Sequence, residues 1–457
     1  VKNIKNKYGI IVVGGGPAGI TLAKMLGKKK SVAIIRSEDY SMIYCAMPYA
    51  VEGLFPVEKT FKKDTLVTDA GADLIRATVS NVDFENKKIQ LDDDSNLSYE
   101  KLIIATGASP FIPPIKGTGL TGVTGFKTET DMRNIMGYIE EGVKNVIVVG
   151  AGAIGVELAL SLNKKGLKVH LVDMVGSLLP NMVDSEMAVS IQQELVRSGV
   201  NLHLNAKVVE LHGKEFIKHT ILDNGDKIHF DDIENCNITS KESFSGIVVF
   251  ATGMKPEISL FQESKLEIDR DGIVVNQKME TNLPDVYAVG DCTQFYNGIT
   301  KKTYSGKLAT NAVPMAKTLG FNLLGQERKY QGFYNGAATK VGKYYIGGTG
   351  LSERIAKDHG IETICGYSEV TTKFPIMPGA KRIHLKLIAE KETKRIFGAQ
   401  IVSEEPVTDK IDLLTLAIQN NFAAEQLTKL SYSAQPYQSF YPAANLIVLA
   451  AEDVLKK

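Results

Sequence analysis

The chain has 457 residues, 44% apolar and 23% charged, with 53 Lys and Arg against 52 Asp and Glu. That length accommodates two or three cored domains, and the near-neutral balance gives no electrostatic reason to expect nucleic acid or an anionic membrane as partner. Four cysteines without paired spacing make neither a disulfide scaffold nor a metal site, and no apolar run approaches the ~18 residues of a membrane span. The first residues lead straight into a strand with no cleavable apolar segment, so the expected location is cytoplasmic, where a free thiol persists.

In chain order, Tyr8–Val13 is a short apolar run that reads as a buried parallel strand. Gly14-Gly15-Gly16-Pro17-Ala18-Gly19 follows, then a helical pattern through Ile20, Leu22, Ala23 and Leu26. Gly14 suits the tight turn, Gly16 lets backbone approach a pyrophosphate, and Gly19 lets helix and strand pack closely. The helix N-terminus then offers free N–H groups to the phosphate charge. The next strand, at Ser31–Ile35, ends in Arg36 where an acid would usually hold an adenosine ribose; Glu38 is the candidate substitute, and Arg36 could lie against adenine or pyrophosphate.

Cys45 follows in the segment Tyr40–Tyr49. A helix beginning around Ala46–Pro48 would stabilise its thiolate, and Pro48 is at home in a first helical turn; a small buried apolar residue is the plain alternative. The strand–turn–helix grammar recurs at Val146–Val149, Gly150-Ala151-Gly152-Ala153-Ile154-Gly155, then Val156, Leu158, Ala159 and Leu162. The strand after it, Lys168–Val172, ends in Asp173, which can accept both ribose hydroxyls and would repel a 2′-phosphate. NADH is therefore favoured over NADPH. Two such turns imply two bound nucleotides, and the natural pair is a flavin with a nicotinamide.

These motifs resemble the pyridine nucleotide-disulfide oxidoreductases, in the single-cysteine branch of coenzyme A-disulfide reductases, NADH oxidases, NADH peroxidases and persulfide or polysulfide reductases. The resemblance spans nearly the whole chain. Leu102–Ala108, with Ala105-Thr106-Gly107, looks like the end of the first FAD segment. Ile247–Gly253 looks like the end of the nicotinamide domain, and Val286–Asp291, with Gly290-Asp291, resembles the second FAD segment. The implied fold is α/β, with two Rossmann-like nucleotide-binding domains, one inserted in the other, and a C-terminal α+β dimerisation domain. The implied boundaries are 1–120 and 255–325 for FAD, 121–254 for the nicotinamide and 330–457 for a homodimer interface. Tyr344–Gly348 and Ile383–Ile388 read as antiparallel strands there, and Lys410–Asn420 as helix.

The resemblance also implies roles. Cys45 matches the lone redox cysteine, with Ala46 where the family has glycine, and no second cysteine stands near it. It would reduce coenzyme A disulfide, a persulfide or a polysulfide, with electrons from NADH by way of FAD; oxygen reduction, or a redox sensor, is the alternative. Pro17 stands where oxidase and peroxidase relatives carry a histidine, which argues against peroxide chemistry and, to a lesser degree, against four-electron oxygen reduction. Tyr437, in Tyr432–Tyr437, matches a proton-donating tyrosine, while Phe374 replaces its companion. Tyr44 and Tyr49 would shape the pocket, Glu157 matches an acid near the nicotinamide, and Lys24 with Lys28–Lys30 could attract coenzyme A phosphates. Cys292, Cys236 and Cys365 are expected to play no redox part.

Overall fold

The run at Lys7–Val13 is apolar on both faces because both faces are covered, as parallel strands require. Ile10 and Val12 join a cluster with the helices Pro17–Leu26 and Ala309–Leu323, while Ile11 and Val13 face a second cluster with Ile89, Phe261 and Ile273. Val32–Arg36 splits in the same alternating way. In this computed structural model, residues 5–230, 246–304 and 309–457 are described, so Cys236 falls outside them.

The chain divides into two units, Val1–Ala50 with Phe55–Phe111 and Met254–Phe333, and Val51–Leu54 with Ile112–Gly253 and Tyr334–Lys457. In the first, strands run in the order Asp73–Arg76, Val32–Arg36, Lys7–Val13, Asn96–Ile104, Lys88–Leu91, Val79–Asp83. The first four are mutually parallel, and Val286–Ala288 pairs parallel with the end of Asn96–Ile104. A small antiparallel pair, Ala108–Pro110 with Met254–Pro256, is pinned by Ser109 Oγ donating to Glu257 Oε2 at 2.6 Å.

The second unit holds a five-stranded parallel sheet, in the order Val123–Gly125, Gly246–Phe250, Asn145–Val149, Lys168–Asp173, Asn201–Leu204. One face packs on a three-stranded antiparallel sheet through Ile147, Val149, Val248 and Phe250. The same unit carries a five-stranded antiparallel sheet, Ala337–Val341, Tyr344–Gly350, Ile396–Ser403, Arg382–Glu390, Thr363–Thr371. The helix Leu446–Lys456 lies on its edge strand, so close that a Cβ on Gly366 would stand 2.1 Å from the Ala450 carbonyl oxygen. Both predicted antiparallel strands are present, and the helix expected at Lys410–Asn420 runs over Thr408–Gln419. Among the described residues no helix is long and apolar enough to cross a membrane.

Candidate active site

Parallel strands that start together end together, and in the first unit three chain turns meet at one sheet edge. Val13 pairs with Ile104, and Ile104 with Ala288, so Gly14, Ala105-Thr106-Gly107 and Gly290-Asp291 all follow the C-terminal ends of adjacent strands. Open α/β sheets bind ligands there. Gly14 has φ +124°, and a Cβ on it would stand 2.0 Å from the Ala105 carbonyl oxygen, so only glycine fits. A Cβ on Gly19 would meet the Gly14 carbonyl at 2.1 Å, which fixes helix against strand. Gly16 differs: a Cβ there would meet no atom within 4 Å, leaving room in front of the Pro17–Leu26 helix. Pro17, at that helix's first position, has no N–H to leave unpaired, and buried Ala18 lies beside Gly290.

The second unit repeats this arrangement. Val149 pairs with Val172 and with Phe250, which brings Gly150, Asp173 and the Ala251–Gly253 turn to one edge. Gly150 has φ +109°, a Cβ on Gly155 would lie 1.8 Å from its carbonyl oxygen, and Gly152 again faces open space. Ile154 is exposed on the first turn of the helix Ala153–Lys164. Both turns thus have the room and the free helical N–H groups that a dinucleotide pyrophosphate needs.

Several side chains are engaged in ways the local sequence does not reveal. Arg36 is buried and held within the protein: Nε donates to the Glu38 carbonyl at 2.7 Å, and Nη2 to the Asp39 carbonyl at 2.6 Å and to Asp64 Oδ1 at 2.9 Å. Its stem packs where a Cβ on Gly15 would go. Glu38 itself is exposed, and Thr106 Oγ1 donates to the Glu257 carbonyl at 2.6 Å. Asp173 accepts the Ala151 N–H at 2.5 Å and the Val175 N–H at 2.8 Å, so its carboxylate also braces the second glycine turn. Thr339 Oγ1 donates to Glu157, tying that helix to the antiparallel sheet. Gly107 and Gly253 take positive φ in their turns.

Cys45 is exposed, in a single helical turn at Tyr44–Ala46; the helix expected around Ala46–Pro48 starts at Met47 and runs to Glu52. Burial, then Glu38 and Asp291, push the Tyr44 phenol up to about 12, with Arg36 opposing them. The charges that act on Tyr44 come from both parts of the candidate FAD site, so the residue beside Cys45 belongs to that neighbourhood. Cys292 is buried in the core, its Sγ 3.4 Å from the Val289 carbonyl. The Cys365 thiol is pushed up to about 12, first by burial. Neither resembles an active thiol.

In the second unit Tyr437 is 57% exposed, its N–H held by Gln435 Oε1 at 2.9 Å. Phe374 packs edge-on against Tyr441, ring centroids 5.4 Å apart, and its N–H donates to the Pro436 carbonyl at 3.1 Å. Lys62 and Ser41, paired across the two-residue ribbon that precedes Cys45 in the chain, were not singled out from sequence.

Comparison with known proteins agrees with this geometry. Residues 8–316 match the model of the pyridine nucleotide-disulphide oxidoreductases, and residues 337–442 match the dimerisation domain of that family. The chain is 36% identical to a protein named NADH oxidase from Methanocaldococcus jannaschii, and 30% identical to a CoA-dependent NAD(P)H sulfur oxidoreductase from Pyrococcus abyssi, covering 98% of each chain in both cases. It superposes on an NAD-dependent persulfide reductase from A. fulgidus with TM-score 0.89 and 27% identity, covering 98% of this chain and 83% of that one. With glycine turns, sheet order and both halves of the chain in agreement, this protein belongs to the pyridine nucleotide-disulphide oxidoreductase family.

Proposed function

We propose that the chain is an FAD-dependent NAD(P)H oxidoreductase that reduces coenzyme A disulfide, or a related persulfide or polysulfide, through Cys45. The observation that carries this reading is the exposed Cys45, in a turn whose neighbour Tyr44 feels charges from both parts of the candidate FAD edge. In this reading residues 1–120 and 255–325 hold FAD, 121–254 hold the nicotinamide, and 330–457 pair two copies into a homodimer.

Gly14, Gly16 and Gly19 would seat the FAD pyrophosphate, with Ala105–Gly107 and Gly290-Asp291 along the same edge; Gly150, Gly152 and Gly155 would seat that of the nicotinamide. Once bound, FAD supplies the means of passing a hydride's two electrons to a sulfur. Cys45 as thiolate attacks one sulfur of the substrate disulfide, forms a new S–S bond and releases one thiolate. Two electrons then split that mixed disulfide, a second thiol departs, and Cys45 is restored. Tyr437 is the candidate proton source for a departing thiolate. Asp173 favours NADH, since its charge would oppose a 2′-phosphate.

A second reading, oxygen reduction, is favoured by the relative named NADH oxidase. Pro17 weighs against peroxide chemistry, having no side-chain proton to give. The test is anaerobic stopped-flow, with NADH-reduced protein mixed separately with coenzyme A disulfide, coenzyme A persulfide, polysulfide and oxygen. Cys45→Ser should keep flavin reduction and lose reoxidation by the sulfur acceptors. Wild-type rates with every sulfur acceptor in that variant would end the cysteine reading.

A further inference from the structure

Of the 7 histidines, those at 170, 203, 212, 219 and 229 all lie on sheet strands of the second unit, in two groups. His170 and His203 sit on neighbouring parallel strands with Nδ1 of the first 2.9 Å from Nε2 of the second, so each spends a ring nitrogen on the other. His212, His219 and His229 instead form a row across the antiparallel sheet of Val208–Gly213, Ile217–Leu222 and Lys227–His229. His212 pairs in register with His219, and His219 with His229. Side chains in register share a face, and successive rows alternate between faces. The next row, Leu211, Thr220 and Ile228, is buried at 2%, 0% and 5%. The histidine row therefore faces outward, with His229 exposed and the other two partly so.

The His212 and His219 rings stack with centroids 4.7 Å apart and planes within 8°, while His219 and His229 stand 5.0 Å apart at 27°. Glu210, on the His212 strand, places Oε2 3.1 Å from His212 Nε2. Imidazole nitrogens and a carboxylate oxygen are the donors that zinc takes. The acid cluster of Asp184, Glu186 and Glu353 is different, because the Lys386 ammonium already fills it.

This geometry points to a surface site for a divalent transition ion such as zinc or copper, held by His212 and His219 with Glu210 as third donor. Two nitrogens on one zinc stand at most about 4 Å apart, twice the Zn–N bond. Adjacent rings reach that separation by turning about Cβ–Cγ, a torsion with broad preferences. His212 and His229, two strands and about 9.5 Å apart, cannot share an ion. His219 is thus the ring common to both possible pairs. His229 is the weaker substitute for His212, having no carboxylate in ion-pair range among the described residues.

Titration calorimetry of the flavin-loaded protein, freed of metal with EDTA and titrated with zinc chloride, tests the site. Wild type should take up one ion per chain. His219→Gln should weaken binding by about a hundredfold, because both pairs are lost and the chelate gain with them. His212→Gln should weaken it by about tenfold and His229→Gln by less than about twofold, while His384→Gln, in another sheet, should change nothing. With copper, the electron paramagnetic resonance spectrum should show two coordinated nitrogens in wild type and one in His219→Gln. Should His219→Gln melt earlier than wild type, carbethoxylation of the unaltered protein, mapped by mass spectrometry, reads the same site. Zinc should then protect His212 and His219, and neither His359 nor His384. Equal zinc affinity in wild type and a folded His219→Gln, or zinc that protects no ring of the row, overturns the site. A larger loss from His229→Gln than from His212→Gln overturns the choice of pair and the part given to Glu210.

Discussion

Lys386→Met removes a positive charge from the interior of the second unit. Lys386 lies in the strand Arg382–Glu390 with its side chain 0% exposed, its Nζ 2.9 Å from Asp184 Oδ2 and paired also with Glu186 and Glu353. Burial opposes the ammonium, but the three acids outweigh it and hold its pKa up. Methionine keeps the stem and leaves the acids. Glu186 and Glu353, each nearly half exposed, can rehydrate, whereas the Asp184 side chain is 9% exposed and among the described residues keeps two neutral donors, Gln400 Nε2 at 2.7 Å and the Glu353 N–H at 3.2 Å. The loss therefore sits at the low end for breaking a buried pair, about 3 kcal/mol. For a unit of this size that lowers Tm by about 6–12 °C. A lysine held above its unfolded pKa, about 10.4, contributes fully below that pH and loses its contribution as pH rises through the folded value. The deficit is thus constant across neutral pH. Circular dichroism melts of wild type, Lys386→Met and Lys386→Met/Asp184→Asn decide the matter, the double variant regaining most of the loss because the orphaned charge is gone. A single variant within ~1 °C of wild type, or a double variant no better than the single, refutes the reasoning.

Three further outcomes are expected. Gly14→Ala, with a Cβ 2.0 Å from the Ala105 carbonyl oxygen, should abolish soluble protein, whereas Gly16→Val should fold and lose FAD; the flavin-to-protein absorbance ratio and yield separate them. Asp173→Asn should shift the NADPH-to-NADH ratio of kcat/KM upward by about tenfold as the like-charge barrier is removed, read from steady-state rates with both coenzymes. Hydrogen bonds from Lys101 and Lys87 hold the Asp285 carboxyl below its usual range. Asp285→Asn, which tolerates the φ of +61° there, should cost less than ~1 kcal/mol because the site is a third exposed. That gap is present above the unfolded aspartate pKa, about 3.9, and closes as pH falls through the lower folded value; denaturant melts across acid pH that keep it constant would contradict this.

The elements that local sequence dictates were the most legible. An apolar run, a glycine at positive φ and a helix opening on free N–H groups form one local unit, so both nucleotide turns could be read directly, to within a residue at Asn145–Val149 and Lys168–Asp173. The antiparallel strands near the C-terminus declared themselves through their apolar runs in the same way. What the sequence could not supply was the partner of each long polar side chain, because a guanidinium or carboxylate reaches across the sheet to residues far away in the chain. Arg36 turns to Asp64, Asp173 back to Ala151, and Glu157 to Thr339. Lys386 reads in sequence as one of four polar residues in its strand, with Arg382, His384 and Glu390; only the fold gathers Asp184, Glu186 and Glu353 around it. The same holds at Cys45, where a two-residue ribbon sets Lys62 opposite Ser41. The type of each element was written locally in its apolar periodicity, and the state of each charge was decided by tertiary packing, since only packing determines which charge loses water and what replaces it.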